Sequence, residues 1–460
     1  MRYEIPRIMI AAPSSGSGKT LVTCGLLNNL KKNYRVSAFK CGPDYIDPMF
    51  HEKVLQMPSK NLDTYFTGED LTKQLLADEA KASDLAVIEG VMGYYDGIAG
   101  TSTEASSYDL ARVTKTPVIL VVDGRGSSVS LCALLRGFMT YRKPSYVKGV
   151  IFNRISPAMY PRLKALVEKE LPIRVCGYLP MMEDAVFESR HLGLIEPDEL
   201  SEIEEKIERI SMQCEETLDI DAILEIAEKA PVLECKSSMH YVLFSLAKIR
   251  IAVAKDEAFS FYYKDNLKLL ELLGAELVYF SPMRGERLPD NIQGLLLGGG
   301  YPELYAKELS ENIYMKASIY DALEEGLPCI AECGGFLYLQ EMLETPDGES
   351  YSMVGYLPGE SRYTGKLGRF GYVELSANDQ ELFGGKGMKM KGHEFHYMDS
   401  SENGTAFLAK KPKSEREWEC GYGGPAFYAG FPHLYFYSNI DATKKFMKQC
   451  KKYKKKVQGK

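Results

Sequence analysis

Short apolar runs that alternate with helical patterns from the N-terminus onward constrain the fold most strongly. In the first half, each run is rich in Val, Ile and Leu and ends in a polar or glycine-bearing turn. The runs are Arg7–Ala12, Val36–Lys40, Leu85–Glu89, Pro117–Val122 and Lys148–Phe152. This alternation predicts a doubly wound α/β fold with a parallel sheet. In such folds ligands bind outside the carboxyl ends of the strands, where the five turns would meet.

The pattern restarts in the second half, so the sequence predicts two α/β domains. The chain has 460 residues, roughly three times the ~150 residues of an average domain. Helical spacing over the acidic stretch 200–230 predicts helices that close a first domain, 1–230. A connector is expected over 231–248 and a second domain over 249–440, β-rich from 353. Residues 441–460 are lysine-rich, and a solvated, frayed tail is expected there.

Composition excludes several classes of protein. Hydrophobic residues make up 45% of the chain and charged residues 26%, which is typical of a globular protein. The net charge of -7 argues against a nucleic-acid partner. No apolar run approaches the ~20 residues that span a membrane, and the N-terminal run IMIAA is too short for an export signal. Ten cysteines without a CxxC pair indicate the cytoplasm rather than a disulfide framework.

A phosphate-binding loop is predicted near the N-terminus. The apolar run IMIAAP leads into SSGSGKT and then into the apolar helix LVTCGLLNNL. Pro13 occupies the first glycine position of the usual loop pattern, but the strand–loop–helix context is the one that the loop requires. Backbone N–H groups would face phosphate oxygens, with a lysine at the β- and γ-phosphates and a hydroxyl on Mg²⁺. ATP binding is therefore predicted for Gly16, Ser17, Gly18, Lys19 and Thr20.

Acids at the predicted strand ends indicate a metal site beside this loop. Glu89 ends the run DLAVIE, Asp44 follows the second strand, and Asp96 lies shortly after Glu89. Mg²⁺ prefers oxygen ligands, so Thr20, Asp44 and Glu89 are its candidate ligands. Each acid alone could instead form or cap a turn. Asn153, at the end of GVIFN, could bind a nucleotide base or close a turn, and the sequence leaves both open.

The second half contains a candidate nucleophile in LPCIAECGGFLYL. Cys333 follows a short strand that ends at Glu332, and two glycines and an apolar helix come next. This is the pattern of a nucleophile elbow, in which a strained turn exposes the side chain and nearby amides stabilise an oxyanion. The helix N-terminus is expected to lower the pKa of the Cys333 thiol. The other nine cysteines are expected to be buried apolar residues.

The base that a cysteine nucleophile needs is left open by the residues alone. His393, His396 and His433 all lie in the same half of the chain. The glycine run LLLGGGYPE follows another strand and could donate amides to an oxyanion or hold glutamine. The candidates for that role are Gly299, Gly300 and Gly334.

These segments together resemble the cobyrinic acid a,c-diamide synthases, ATP-dependent amidoligases of corrinoid biosynthesis. The resemblance covers almost the whole chain and rests on APSSGSGKT, KCGPDYIDP, EGVMGYYDG, VIFNR, ESRHLGL, LGGGYPELYA, ECGGF and FPHLYF. It implies an N-terminal P-loop domain of the dethiobiotin-synthetase type and a C-terminal class I glutamine amidotransferase domain. It also implies ATP and Mg²⁺ as cofactors, and a tetrapyrrole acid and glutamine as substrates. A homodimer is left open.

The resemblance also implies roles for individual residues. Cys333 would be the glutaminase nucleophile and His433 its histidine. Metal binding, carboxylate activation and substrate positioning would fall to Asp44, Tyr45, Ile46, Glu89 and Asp96. Arg190 and His191, in ESRHLGL, match a motif whose role is either in the synthetase site or structural. Class I glutaminases usually have a glutamate two residues after the histidine, but this chain has Tyr435, which argues against strong basal glutaminase activity.

The implied reaction joins two half-reactions. Glutamine would supply ammonia in one domain, and ATP would phosphorylate the a and c carboxylates of the tetrapyrrole in the other. Nickel-sirohydrochlorin and hydrogenobyrinic acid are alternative macrocycles, and cobyric acid synthase is a longer relative with both domains. A P-loop switch ATPase with an inert second domain would not need the Cys333 turn. A cysteine peptidase would leave the phosphate loop unexplained.

Overall fold

The computed structural model of the chain describes residues 1–182, 197–236, 248–379 and 381–459. These residues form two compact units, Met1–Met239 and His240–Lys460. Arg190 and His191 lie outside the described residues.

The first unit alternates strands and helices, as the sequence predicts. Its strands are β1 (Arg2–Tyr3), β2 (Arg7–Ala11), β3 (Val36–Cys41), β4 (Ser59–Leu62), β5 (Leu85–Glu89), β6 (Val118–Asp123), β7 (Val147–Asn153), β8 (Arg174–Leu179) and β9 (Leu233–Glu234). Its helices are α1 (Lys19–Leu30), α2 (Ile46–Lys53), α3 (Thr64–Ala80), α4 (Ser107–Thr114), α5 (Ser130–Thr140), α6 (Tyr160–Glu170), α7 (Pro197–Thr217) and α8 (Ile220–Glu228).

A seven-stranded parallel sheet in the order β4-β3-β5-β2-β6-β7-β8 forms the centre of this unit. The five predicted strands all belong to it, with ends within one residue of those expected. Strands β2 and β5 are buried along their whole length. This is the pattern of a parallel sheet that is covered on both faces. The turns after β2, β3 and β5 therefore leave the same edge of the sheet.

The first unit extends past the expected boundary at residue 230. Strand β9 pairs antiparallel with β1, and Arg7 Nη2 donates a hydrogen bond to the Pro231 carbonyl at 2.6 Å. Residues 231–236 therefore belong to the first unit, and the prediction of a connector that starts at 231 was wrong. The reason is that a two-residue strand leaves no apolar run in the sequence.

The second unit contains two sheets. Its strands are β10 (Ile249–Ala254), β11 (Ala275–Phe280), β12 (Gly294–Leu297), β13 (Cys329–Glu332), β14 (Met342–Glu344), β15 (Ser350–Ser352), β16 (Glu360–Ala377), β17 (Lys389–Ser400), β18 (Phe407–Lys410), β19 (Glu417–Cys420), β20 (Tyr422–Gly424), β21 (Phe427–Gly430) and β22 (His433–Leu434). Its helices are α9 (Lys264–Leu272), α10 (Ala306–Glu311), α11 (Ile313–Glu324), α12 (Gly334–Leu339) and α13 (Ile440–Gln458).

The first of these sheets has the order β11-β10-β12-β13-β21-β20 and is parallel except for β20. The second is built around the long hairpin β16–β17, with β22 at one side of β17. The prediction of a β-rich region from 353 is confirmed. Strand β13 lies inside the first sheet and β22 at the edge of the second, and the Cys333 N–H bonds the Gly430 carbonyl three residues before β22.

The lysine-rich segment 441–460 is a helix rather than a frayed tail as far as residue 458. In α13, Phe446, Met447 and Cys450 are buried in the second unit. These residues recur at three- and four-residue spacing, so one face of the helix is apolar while the lysines occupy the others. The second unit therefore continues past the expected end at 440. Among the described helices of the chain, none combines the length and apolar character that a membrane span needs.

Candidate functional site

The phosphate loop of the first unit connects β2 to α1. Gly16 and Gly18 have φ values of 78° and 91°, which glycine adopts without strain. The Asn153 side chain donates to the Ser17 carbonyl at 3.0 Å, and it lies so close to Gly18 that a Cβ there would overlap with it. Arg154 donates to the Gly16 carbonyl at 3.0 Å. Asn153 thus fastens the phosphate loop to the end of β7, a contact that neither of the two sequence interpretations describes.

Lys19 and Thr20, the first residues of α1, face the end of β5. The Thr20 hydroxyl donates to Glu89 Oε1 at 2.7 Å, and Lys19 Nζ donates to the Met92 carbonyl at 3.0 Å. Burial lowers the pKa of Lys19, and the nearby Lys40 lowers it further. The turn after β5 therefore lies against the phosphate loop.

A buried charge cluster surrounds Glu89. Lys40, on β3, donates to Glu89 Oε1 at 3.0 Å and to the Asp47 carboxylate, and its Nζ lies 3.9 Å from Asp44 Oδ2. His51 Nε2 lies 3.3 Å from Glu89 Oε2. Burial opposes the charge on Lys40, but Asp47 and Glu89 raise the pKa of Lys40 well above its ordinary value. Burial likewise opposes the charge on Glu89, but Lys40 and then His51 hold the pKa of Glu89 below its ordinary value.

The remaining predicted residues of this unit lie in two turns. Asp44 Oδ1 accepts the Ile46 N–H at 2.8 Å, and Tyr45 is the residue just before α2. Asp96 accepts the Gly93 N–H at 3.1 Å, within the turn that also contacts Lys19 through Met92. The structure thus brings Thr20, Asp44 and Glu89 to one cluster, and it places Asp96 one turn away.

Lys40, Asp47 and His51 are members of this cluster that the sequence analysis did not single out. Lys40 and Asp47 lie within the motif KCGPDYIDP, so a basic residue at a strand end beside acids was a signal present in the sequence. His51 follows Asp47 by four residues on α2, which places both on one helix face. No feature of the sequence around His51 distinguishes it.

In the second unit, Cys333 lies at a strained turn between β13 and α12, as predicted. Its φ is 46° and its ψ is -105°, and its N–H donates to the Gly430 carbonyl at 2.8 Å. The expectation of a lowered thiol pKa was wrong. Burial raises the pKa of the Cys333 thiol because the sulfur is removed from water, and the nearby Glu303 raises it further.

A glycine loop after β12 connects the cysteine turn to His433. A Cβ on Gly299 would overlap with the His433 ring, and a Cβ on Gly334 would lie 3.1 Å from the Gly300 nitrogen. The Gly299 carbonyl accepts the Phe261 N–H at 3.0 Å, which holds the loop in place. The predicted glycines therefore lie between the candidate nucleophile and the candidate base.

His433 is a buried, neutral imidazole. Burial lowers the pKa of His433 to about 3, with a further contribution from His396, so the ring has a free lone pair at neutral pH but is a weaker base than an exposed histidine. His393 lies opposite His433 on the neighbouring strand, and burial likewise lowers the pKa of His393 to about 3. His396 instead stacks on Phe431 with ring centroids 4.0 Å apart and bonds the Met398 carbonyl at 2.6 Å.

Two carboxylates near this site were not singled out from the sequence. Glu332 Oε2 lies 3.9 Å from His433 Nδ1, and burial raises the pKa of Glu332 to about 8. Glu303 is half-buried near Cys333, and desolvation raises its pKa to about 7. Tyr435, at the usual glutamate position, donates to Asp265 Oδ2 at 3.0 Å.

Comparison with known proteins agrees with this division into two sites. Residues 8–194 match the CobQ/CobB/MinD/ParA nucleotide binding domain, and residues 250–445 match the CobB/CobQ-like glutamine amidotransferase domain. The cobyrinate a,c-diamide synthase of Caldanaerobacter subterraneus subsp. tengcongensis is 40% identical over 451 residues, which cover 97% of this chain and 99% of that protein. The chain belongs to the cobyrinate a,c-diamide synthase family. Synthases of the same name from Priestia megaterium and Thermoplasma volcanium are 37% and 38% identical, each over 98% of this chain and over 98% and 99% of their own lengths.

Membership of the cobyrinate a,c-diamide synthase family makes the chain a glutamine-dependent, amide-forming ligase with a nucleotide-binding domain. The phosphate loop and the Glu89 cluster fall within the nucleotide-binding match. Cys333, His433 and the glycine loop after β12 fall within the amidotransferase match.

Proposed function

We propose that the chain amidates the a and c side-chain carboxylates of cobyrinic acid, with ATP and glutamine as co-substrates. The observation that carries this proposal is identity of 37–40% with cobyrinate a,c-diamide synthases over nearly the full length of both chains. The phosphate loop in one unit and the cysteine turn in the other support it, because amide formation from a carboxylate needs both activation and a source of ammonia.

The glutaminase half-reaction is assigned to the second unit. His433 accepts the Cys333 thiol proton as the sulfur attacks the glutamine side-chain carbonyl carbon. The N–H groups of Gly300 and Gly334 are proposed to stabilise the oxyanion. Collapse breaks the C–N bond, and His433 returns the proton to the departing ammonia. Water then attacks the thioester, so that glutamate leaves and the thiol is restored.

The activation half-reaction is assigned to the first unit. A carboxylate is a poor acyl donor, so one peripheral carboxylate takes the γ-phosphoryl group of ATP to give an acyl phosphate and ADP. Ammonia then displaces inorganic phosphate and leaves the amide. Lys19 and the loop N–H groups hold the phosphates, and the cationic Lys40 lies next to the acids at the end of β5. Phosphoryl transfer depends mainly on such positioning and charge neutralisation.

The residues at the end of β5 fit a magnesium ion. Thr20 Oγ1 and Glu89 Oε1 lie 2.7 Å apart, and Asp44 belongs to the same charge cluster. Mg²⁺ usually takes one or two protein oxygens together with substrate phosphates, so Thr20, Glu89 and Asp44 are the residues that would hold it together with ATP. When bound, the ion would neutralise charge on the ATP phosphates.

The proposal is tested by incubation of the protein with ATP, Mg²⁺, glutamine and one macrocycle at a time, followed by mass spectrometry. Cobyrinic acid is expected to lose ~1 Da in each of two steps, because OH is replaced by NH₂. Nickel-sirohydrochlorin and hydrogenobyrinic acid serve as the comparison substrates. Turnover of either one in preference to cobyrinic acid would reassign the macrocycle. ATP hydrolysis without amidation of any of the three would contradict the proposal as a whole.

Variants of the turn before α2 are expected to change the order of the two amidations. A macrocycle can place only one carboxylate at the activation site at a time, so the monoamide must be released or turned before the second cycle. We expect Asp44→Asn and Tyr45→Phe to change the ratio of monoamide to diamide by about tenfold, or ~1.4 kcal/mol in relative barrier height. Chromatography that resolves the two products over time measures this ratio.

The KM for glutamine provides the control for these two variants, since glutamine is assigned to the other unit. It is expected to stay within about twofold of wild type. An unchanged product ratio in folded Asp44→Asn and Tyr45→Phe proteins would show that this turn does not position the macrocycle.

A further inference from the structure

We propose that Glu332, the residue immediately before the nucleophile, is the positioning carboxylate that orients His433 for glutamine hydrolysis. This inference rests on the proposed glutaminase role of Cys333 and His433. It supplies the third group that a cysteine–histidine pair ordinarily needs, from a position other than the usual one two residues after the histidine.

The Glu332 carboxylate is positioned by its own strand and by a hydrogen bond from the strand that carries His433. Glu332 is the last residue of β13 and pairs with Gly430 of β21. Its Oε1 accepts the Leu434 N–H at 3.0 Å, and its Oε2 lies 3.9 Å from His433 Nδ1. Because Leu434 directly follows His433 on β22, the backbone that carries the imidazole also holds the carboxylate beside it.

The usual position is occupied by a residue with a different partner. Tyr435 is buried, and its hydroxyl donates to Asp265 Oδ2 at 3.0 Å. Asp265 lies on α9, so the pair connects β22 to that helix. Glu394, another buried carboxylate of this unit, lies 3.4 Å from His396 Nε2 and 3.6 Å from Arg369 Nε. These carboxylates therefore serve other partners, while Glu332 faces His433.

The chemistry of the pair explains what Glu332 contributes. An ionised carboxylate beside Nδ1 keeps the ring proton on that nitrogen, which leaves the Nε2 lone pair to accept the thiol proton of Cys333. When the proton moves to His433, the resulting imidazolium lies next to a negative charge in a buried site. Burial raises the pKa of Glu332 to about 8, so the active form of the site is the one in which Glu332 has already lost its proton to solvent. The imidazolium forms only as the thiolate does, so its attraction to the Glu332 carboxylate belongs to the reaction barrier rather than to glutamine binding.

Glu332→Gln is the variant that tests this role. Glutamine has the same shape and keeps an oxygen for the Leu434 N–H, but it cannot become charged. We expect the kcat for glutamine-dependent amidation to fall by ~10²-fold with KM for glutamine within about threefold. Amidation with added ammonia is expected to stay at the wild-type rate. Glu332→Asp restores the charge on a shorter side chain, and we expect it to recover about tenfold of the lost kcat.

Asp265→Asn is the matched control, since it removes a buried carboxylate next to the usual triad position. We expect its kcat to stay within about threefold of wild type. A loss of kcat in Asp265→Asn with a normal Glu332→Gln enzyme would overturn the proposal. So would a Glu332→Gln enzyme with wild-type kcat, or one that loses ammonia-dependent amidation to the same extent.

A second measurement separates orientation of His433 from a purely structural role. The rate at which iodoacetamide alkylates Cys333, followed by peptide mass spectrometry, is measured in wild type, Glu332→Gln, His433→Ala and the double variant. We expect Glu332→Gln to slow alkylation about tenfold when His433 is present and to have no effect when it is absent. Equal slowing in both backgrounds would overturn the proposal. Wild-type enzyme that hydrolyses no glutamine would instead refute the proposed function itself.

Discussion

Replacing Cys333 with alanine is expected to lower glutamine-dependent amidation by at least ~10³-fold and to leave ammonia-dependent amidation within about twofold of wild type. The thiol is the only part of the side chain that can form the thioester, whereas the assigned activation residues lie in the other unit. Amide product is measured by mass spectrometry with glutamine, and separately with ammonium at high pH, where free ammonia is abundant.

Cys450→Ala provides the matched control, because Cys450 is a buried cysteine of the same unit on the inner face of α13. We expect it to retain glutamine-dependent activity. If a folded Cys333→Ala protein also lost the ammonia-dependent reaction, the assignment of the two half-reactions to separate units would be incorrect.

Lys19→Ala is expected to lower both the glutamine-dependent and the ammonia-dependent reactions by about 10³-fold. Without the ammonium group at the start of α1, the charge that develops on the transferred phosphoryl group loses a fixed positive partner. No acyl phosphate would then form for ammonia to attack. Amide formation with each nitrogen source, together with ADP release, measures the effect.

Lys32→Ala is a suitable control, since Lys32 lies just after α1 and pairs at the surface with Glu208 at 3.0 Å. A lysine at that distance from the phosphate loop should affect neither reaction. Near-normal amidation by Lys19→Ala would show that SSGSGKT is not the phosphate loop of this enzyme.

Much of the fold can be predicted from the sequence because buried parallel strands appear in it as continuous apolar runs. The runs at β2, β3, β5, β6 and β7 are separated by helical spacing, so their order and class could be predicted. The strand β9 and the helix α13 could not. Two residues of strand leave no pattern, and the lysines of α13 dominate its composition although Phe446 and Cys450 face the core.

The site residues also fall into two groups, those with a local sequence signal and those without one. Thr20, Glu89 and Cys333 could be singled out because each has a local sequence context, a glycine loop or a strand end. Lys40 and His51 belong to the Glu89 cluster through contacts between β3, α2 and β5, which are distant in sequence. The contact of Glu332 with His433 joins residues about a hundred positions apart. The thiol pKa of Cys333 depends on burial, which the elbow pattern alone does not report.

The backbone conformation at Cys333 is one that glycine would adopt at a lower cost in free energy than cysteine. At a φ of 46° and ψ of -105°, any side chain costs about 1–3 kcal/mol that glycine would not. Gly334 and Gly335 follow directly. Glycine at position 333 as well would remove the backbone strain of the turn, but it would also remove the thiol. The strained backbone at this one residue therefore lowers the free energy of unfolding of the second unit. That loss of stability accompanies the placement of a reactive sulfur at the turn.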